Sequence, residues 1–111
     1  MIHIIRSRAT KQQMTEMLEA RGDYINLADD VRRRIRAGGG GMHADCESAL
    51  LEDGSVQQDV WGADWYPASQ QVAYEALINL RPRQGSRSME VSDPELRAQI
   101  AQIIYELLGS V

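Results

Sequence analysis

The apolar positions of the chain fall into blocks of different period. Ile2 to Ser7 is short and β-branched and reads as a strand. From Thr10 the spacing becomes helical. Met14, Met17 and Leu18 form a narrow stripe, and Thr10 with Gln13 makes the T-x-x-Q pattern of a capping box. Gly22 is a good stop. Tyr24 to Ala37 supports two readings. As a helix it has Asn26 as cap, Asp29 and Asp30 early, arginines late and Gly38 as stop. As a strand it puts Ile25, Leu27, Val31, Ile35 and Ala37 on one side, with Asn26, Asp30, Arg32, Arg34 and Arg36 on the other. Local rules favour the helix slightly.

Further along, Asp53-Gly54 is the preferred pair for a two-residue hairpin turn. That turn sets Glu52 opposite Ser55 and Leu51 opposite Val56. The same register puts Ala49, Leu51, Val56 and Val60 on one face. Ala73 to Arg81 alternates as a strand until Pro82 and Gly85 break it, and Arg87 to Val91 reads as another short one. Ser92 and Asp93 then cap a last helix with Pro94 at its first position. Leu96, Ile100, Ile103, Ile104, Leu107 and Leu108 stripe that helix, and Gly109 ends it. The sum is an α+β domain spanning residues 1–111: an antiparallel or mixed sheet with an N-terminal and a C-terminal helix packed on it.

Composition narrows the function more than the fold. At 111 residues, 43% hydrophobic and 25% charged, the chain suits one ordinary domain. A net charge of −4 argues against a nucleic-acid partner, since such partners require a basic field. One cysteine allows no intrachain disulfide, and no apolar run reaches the roughly 20 residues that cross a bilayer. These features predict a cytoplasmic protein with no membrane partner.

The candidate chemistry begins at Gly38, where four glycines run into His43, Asp45, Cys46 and Glu47. If the chain stays extended, His43, Asp45 and Glu47 share a face, and the hairpin register turns it inward. A bulge in the glycine run would reverse that parity. Unpaired polar groups there would cost about 1–3 kcal/mol each, so they must pair or line a pocket. The glycines then serve either a sharp bend or a close approach of backbone or ligand. Metal binding is disfavoured, because one Cys and two His fit no zinc spacing. A Cys46–His43 dyad is disfavoured too, because residues three apart on a strand point to opposite faces. No cofactor is implied. Asn79 and Arg81 share a strand face, and Arg83 and Arg87 flank a Gly-Ser turn. Arginine forks suit carboxylate or phosphate. The competing reading pairs Arg81 and Arg87 with Asp45, Glu47 or Asp53 inside the protein.

The strings GGGGMHADCE, LLEDGS, VWGADWYP, LINLRPRQGSRSMEV and DPELR together resemble a family of small bacterial proteins catalogued only as a domain of unknown function. The resemblance implies a single-domain intracellular protein and carries no activity or cofactor. It also implies a strand pair rather than a helix over Tyr24 to Ala37, because relatives are rich in valine and isoleucine there. Gly41 departs from the family's pattern, where an acidic residue is usual.

Two function classes follow. The favoured one is a non-catalytic binding or oligomeric adaptor domain. Its polar, anion-binding site would comprise His43, Asp45, Glu47, Asn79, Arg81 and Arg87. The alternative is a small hydrolase or transferase, with His43, Asp45 and Glu47 as acid/base and Arg81 and Arg87 as anion clamp. The broad stripe of the last helix, with Trp61, Trp65 and Tyr66, predicts a homo-oligomer.

Overall fold

The computed structural model describes residues 1–111. Its elements are β1 (His3–Ile5), α1 (Lys11–Leu18), β2 (Ile25–Asp30), β3 (Ile35–Gly40), α2 (His43–Glu52), β4 (Val60–Tyr66), β5 (Gln71–Ala73) and α3 (Pro94–Leu108). Short 3-10 turns lie at Gln57–Asp59, Leu77–Asn79 and Pro82–Gln84. The strands form one antiparallel sheet in the order β1-β3-β2-β4-β5. The architecture is α+β, with the N-terminal and C-terminal helices packed on the sheet and a third helix, α2, added.

Chain direction fixes which face each helix covers. β1 and β2 run parallel with β3 between them, and β3 and β4 run parallel with β2 between them. Both crossovers step the same way across the sheet, from strands that point in opposite directions. The right-handed rule therefore puts α1 and α2 on opposite faces. On one face, Met14 and Met17 of α1 join Ile100, Ile104 and Leu108 of α3 over Ile25, Leu27 and Trp65. On the other, Cys46 and Leu50 of α2 cover Ala28, Ile35, Ala37 and Val60.

The ends of α1 and α3 form as their sequence signals predict. Thr10 and Gln13 complete the capping box, and Gly22 has φ +83°. Asp93 accepts from the Glu95 N–H, with Pro94 at the first position. The α3 stripe is taken up largely within the chain: Ile100, Ile103, Ile104 and Leu108 are buried. The most exposed large apolar side chain is instead Leu77, at 71%, on the α2 side.

Three expectations give way. The strand pair that the resemblance implies over Tyr24 to Ala37 forms, against the local helix signals, but its apolar residues do not share one side: Ile25 and Leu27 face α1 and α3, while Ile35 and Ala37 face α2. The turn changes the parity, because Asp30 pairs with Ile35 across four residues. The Asp53-Gly54 hairpin is replaced by α2. His43, Cys46, Glu47 and Leu50 have the i, i+3, i+4, i+7 spacing of one helix face, and Asp53 and Gly54 are the stop that follows. Gly54 does take positive φ, at +103°. Finally, β5 ends at Ala73, and Tyr74 to Arg81 and Arg87 to Val91 are not strands. The only ladder between them is a single bridge from Glu75 to Glu90, because this segment folds back so that Asn79 can reach β4.

Charges that locally suited a helix serve the sheet instead. Asp29 and Arg36 are cross-strand partners, 2.8 Å apart and both fully buried. Arg36 Nη1 also donates to the Ile103 carbonyl at 3.1 Å, tying α3 to the sheet. Burial raises the Asp29 pKa to about 6 against the pull of Arg36. Removing one partner strands a buried charge, so Asp29→Ala and Arg36→Ala should each lose about 3–5 kcal/mol. The double variant Asp29→Leu with Arg36→Met should lose much less. Since the folded pKa, about 6, exceeds the ordinary 3.8, stability from Asp29 is fully present below 3.8 and is lost as pH rises through about 6. Urea unfolding at pH 5 and pH 7 should show the parent losing ground to the double variant at the higher pH.

Candidate functional site

The glycine run shapes the ground beneath α2. Asn26 pairs with Gly40 but Leu27 with Gly38, so Gly39, at φ +99°, is the extra residue of a bulge. The bulge flips the strand. A Cβ at Gly38 would meet Leu27 and Met17, whereas one at Gly40 would stand 3.1 Å from Cys46 Sγ and Asp45 Cβ. The chain leaves the sheet after Gly40 and starts α2 at His43, directly over β2 and β4.

That placement builds a small polar centre. His43, in the first turn, bonds through Nε2 to Asp64 Oδ1 on β4 at 2.7 Å. Asn26 on β2 is the cross-strand partner of Asp64 and only 2% exposed. Its Nδ2 donates to the carbonyls of Gly40 and Gly41 at 3.2 and 3.1 Å. Arg21, whose Nη2 donates to the Gly41 carbonyl, and Tyr24 complete a pocket of about 250 Å³, with Leu77 and Ile78 as apolar wall. Cys46 lies beneath. Its Sγ donates to the Asn26 carbonyl, and burial pushes the thiol up to about 11, so it is no nucleophile.

The sequence candidates divide into separate groups. On a helix, residues four apart share a face, so His43 and Glu47 both point inward while Asp45 is exposed. Asp45 Oδ2 instead accepts from the Met42 N–H and caps α2. Glu47 lies 3.6 Å from Arg81. Arg81 donates to the carbonyls of Ile78, Gln57 and Val60 and lies over the Trp61 ring at 4.5 Å. Desolvation lowers its pKa, and Glu47 partly restores it. Arg81 lines a second hollow of about 510 Å³, separated from the His43 pocket by Ile78, which lines both. Arg87 is exposed and lines neither hollow.

Asn79 is fully buried. Its Oδ1 accepts from the Gly62 N–H at 2.7 Å, and its Nδ2 donates to the carbonyls of Gly62, Tyr74 and Met89. β5 pairs with β4 only at residues 64–66, so the Asn79 amide continues the ladder as a substitute peptide. Gly62 has to be glycine, since a Cβ would stand 2.5 Å from that of Ala76.

Residues 3–107 match the model of the family described as Protein of unknown function (DUF5674). The chain belongs to this family. No curated protein and no solved structure matches the DUF5674 chain. Its helices are all too short or too polar to cross a membrane, and no three His, Cys, Asp or Glu side chains gather closely enough to hold a metal ion.

Sequence reasoning missed Asn26, Asp64, Arg21 and Tyr24. The signal for the first two was present: each is a polar residue inside a strand that is otherwise buried, and a buried polar group is the informative exception.

The ion-pair geometry predicts which couplings are real. Arg81→Ala should cost about 3 kcal/mol or more, since it unpairs buried carbonyls and Glu47 together. Asp45→Ala should cost about 1 kcal/mol, as a lost cap. In denaturant unfolding, Arg81→Ala and Glu47→Ala should cost clearly less together than their sum, whereas Arg81→Ala and Asp45→Ala should add.

Proposed function

We propose that the protein is a non-catalytic binding domain for a small polar molecule, seated in the His43 pocket. The observation that carries this reading is the meeting of Asn26, His43 and Asp64 at one opening. Asn26 is only 2% exposed, no protein group donates to its Oδ1, and that oxygen is not sealed off from solvent. An acceptor left open in this way is free for a donor on water or on a ligand. The Arg81 hollow is larger but less suited. Its one buried arginine spends its donors on carbonyls and its charge on Glu47. A volume of about 250 Å³ lies below the roughly 300 Å³ at which drug-sized pockets begin, which favours a small metabolite.

Acid–base catalysis is the second reading, favoured by the 2.7 Å His43–Asp64 bond. An aspartate that holds a histidine in one orientation is the usual support of a general base. With Cys46 buried beneath, such a site would act on water or on a substrate proton.

The test is an NMR screen of the intact protein against small amines, carboxylates, amino acids and inorganic phosphate. Shifts should concentrate at Asn26, Met42, His43, Ala44 and Asp64, and His43→Ala should remove them while the protein stays folded. Shifts confined to Leu80–Gln84, or no shifts at all, would overturn the binding reading. Conversion of any bound compound, lost in His43→Gln, would favour the catalytic one.

A further inference from the structure

We propose that this pocket selects its ligand through a primary ammonium group, seated between Asn26 Oδ1 and Asp64. The inference rests on the reading of the His43 pocket as the ligand site and adds the chemical class of the ligand.

Asn26 and Asp64 are directly opposite on neighbouring strands and face α2. Side chains so placed have Cβ atoms about 4.5–5.5 Å apart. The Asn26 amide cannot be turned round, because its nitrogen meets two carbonyls, those of Gly40 and Gly41. Its oxygen is therefore the atom left for the pocket. Asp64 gives Oδ1 to His43, and Oδ2 has no partner. The floor thus offers two adjacent acceptors, one of them a carboxylate oxygen. A phosphate or carboxylate placed there would set oxygen against oxygen. An ammonium carries three donors on a compact charge and satisfies both acceptors.

The walls agree. Tyr24 lines the pocket and is held by stacking on Tyr66, with ring centroids 5.2 Å apart and planes 22° from parallel. A cation beside an aromatic face gains further attraction. The rim has the opposite character. It presents Arg21 and the first turn of α2, whose N–H groups lack intrahelical acceptors. Asp45 already places a carboxylate on the Met42 N–H, which tempers the pull of this rim on an anion. The ammonium seat is therefore the main determinant, and a ligand carboxylate at the rim is an addition to it. Two sources share this chemistry: a simple aliphatic amine and an α-amino acid.

Titration of the intact protein at pH 7 with n-butylamine, L-norvaline, butyrate and inorganic phosphate separates the outcomes. Butylamine and norvaline should both move the Asn26 side-chain amide and the Asp64 backbone signals. Butyrate and phosphate should not. Asp64→Asn, confirmed as folded by its melting curve, should weaken amine binding roughly tenfold or more, as expected for a lost charge-assisted bond. Norvaline binding tighter than butylamine identifies the amino-acid source, and equal binding identifies the simple amine. If butyrate or phosphate fills the pocket and the amines do not, the ammonium seat is wrong while the pocket remains a binding site. If none of the four moves any pocket signal, while other compounds of the wider screen do, the ammonium seat again fails alone. Silence in both overturns the binding reading with it.

Discussion

A side chain on Gly39 would begin 2.2 Å from the Met1 carbonyl oxygen and 2.9 Å from Met17 Cα. No real Cβ makes such contacts. One residue on, Gly40 is closed by α2, and one residue back, Gly38 by Leu27 and Met17. The end of β3 is thus pressed by chain on both faces, and the bulge at Gly39 is what lets the two pressures fall on neighbouring residues. Close backbone approach of this kind brings α1 and α2 to their working distances from the sheet. The bend and the close approach, which the bare sequence offers as alternatives, are both present.

The candidate site follows from that constraint. Because the strand flips at Gly39, the chain emerges toward β2 and β4 and starts α2 above Asn26 and Asp64. The carbonyls of Gly40 and Gly41 then hold the Asn26 amide in one orientation. His43 meets Asp64, and Cys46 is buried beneath as a small apolar group. Elsewhere the buried polar side chains serve mainly to hold the fold. Asn79 substitutes for a peptide beside Gly62, Arg81 gathers carbonyls at the end of β4, and Asp29 with Arg36 holds α3. The His43 pocket differs because its left-over acceptors, Asn26 Oδ1 and Asp64 Oδ2, are open to solvent, whereas the unpartnered oxygens of Asp29 and Glu47 are sealed beside their arginines.

Much of the fold was legible. The capping box at Thr10, the Asp93-Pro94 start of α3 and the α3 stripe are local devices whose geometry the sequence sets directly. The strand pair over Tyr24–Ala37 was not decidable locally, because acidic-then-basic order suits a helix dipole as well as it suits a cross-strand ion pair. The failure at α2 was instructive. Asp-Gly marks a hairpin turn and also a helix stop, and alternation over Ala49–Val60 favoured the first. The stripe of His43, Cys46, Glu47 and Leu50 would have favoured the second, but polar members hid it. Of the site, His43 was found and its partners were not. Asp64 and Asn26 reach it only through the sheet order, which is a long-range fact.

The central claim is that β3 ends in glycines because α2 on one face, and Met1, Leu27 and Met17 of α1 on the other, leave no room for side chains there. Equilibrium unfolding of Gly39→Ala beside Gly41→Ala tests it, since a Cβ at Gly41 would meet nothing within 4 Å. Gly39→Ala should lose about 3 kcal/mol or more, or fail to fold, from strained φ and overpacking together. Gly41→Ala should stay within about 1 kcal/mol of the parent. Two variants with the same denaturant midpoint would contradict the account.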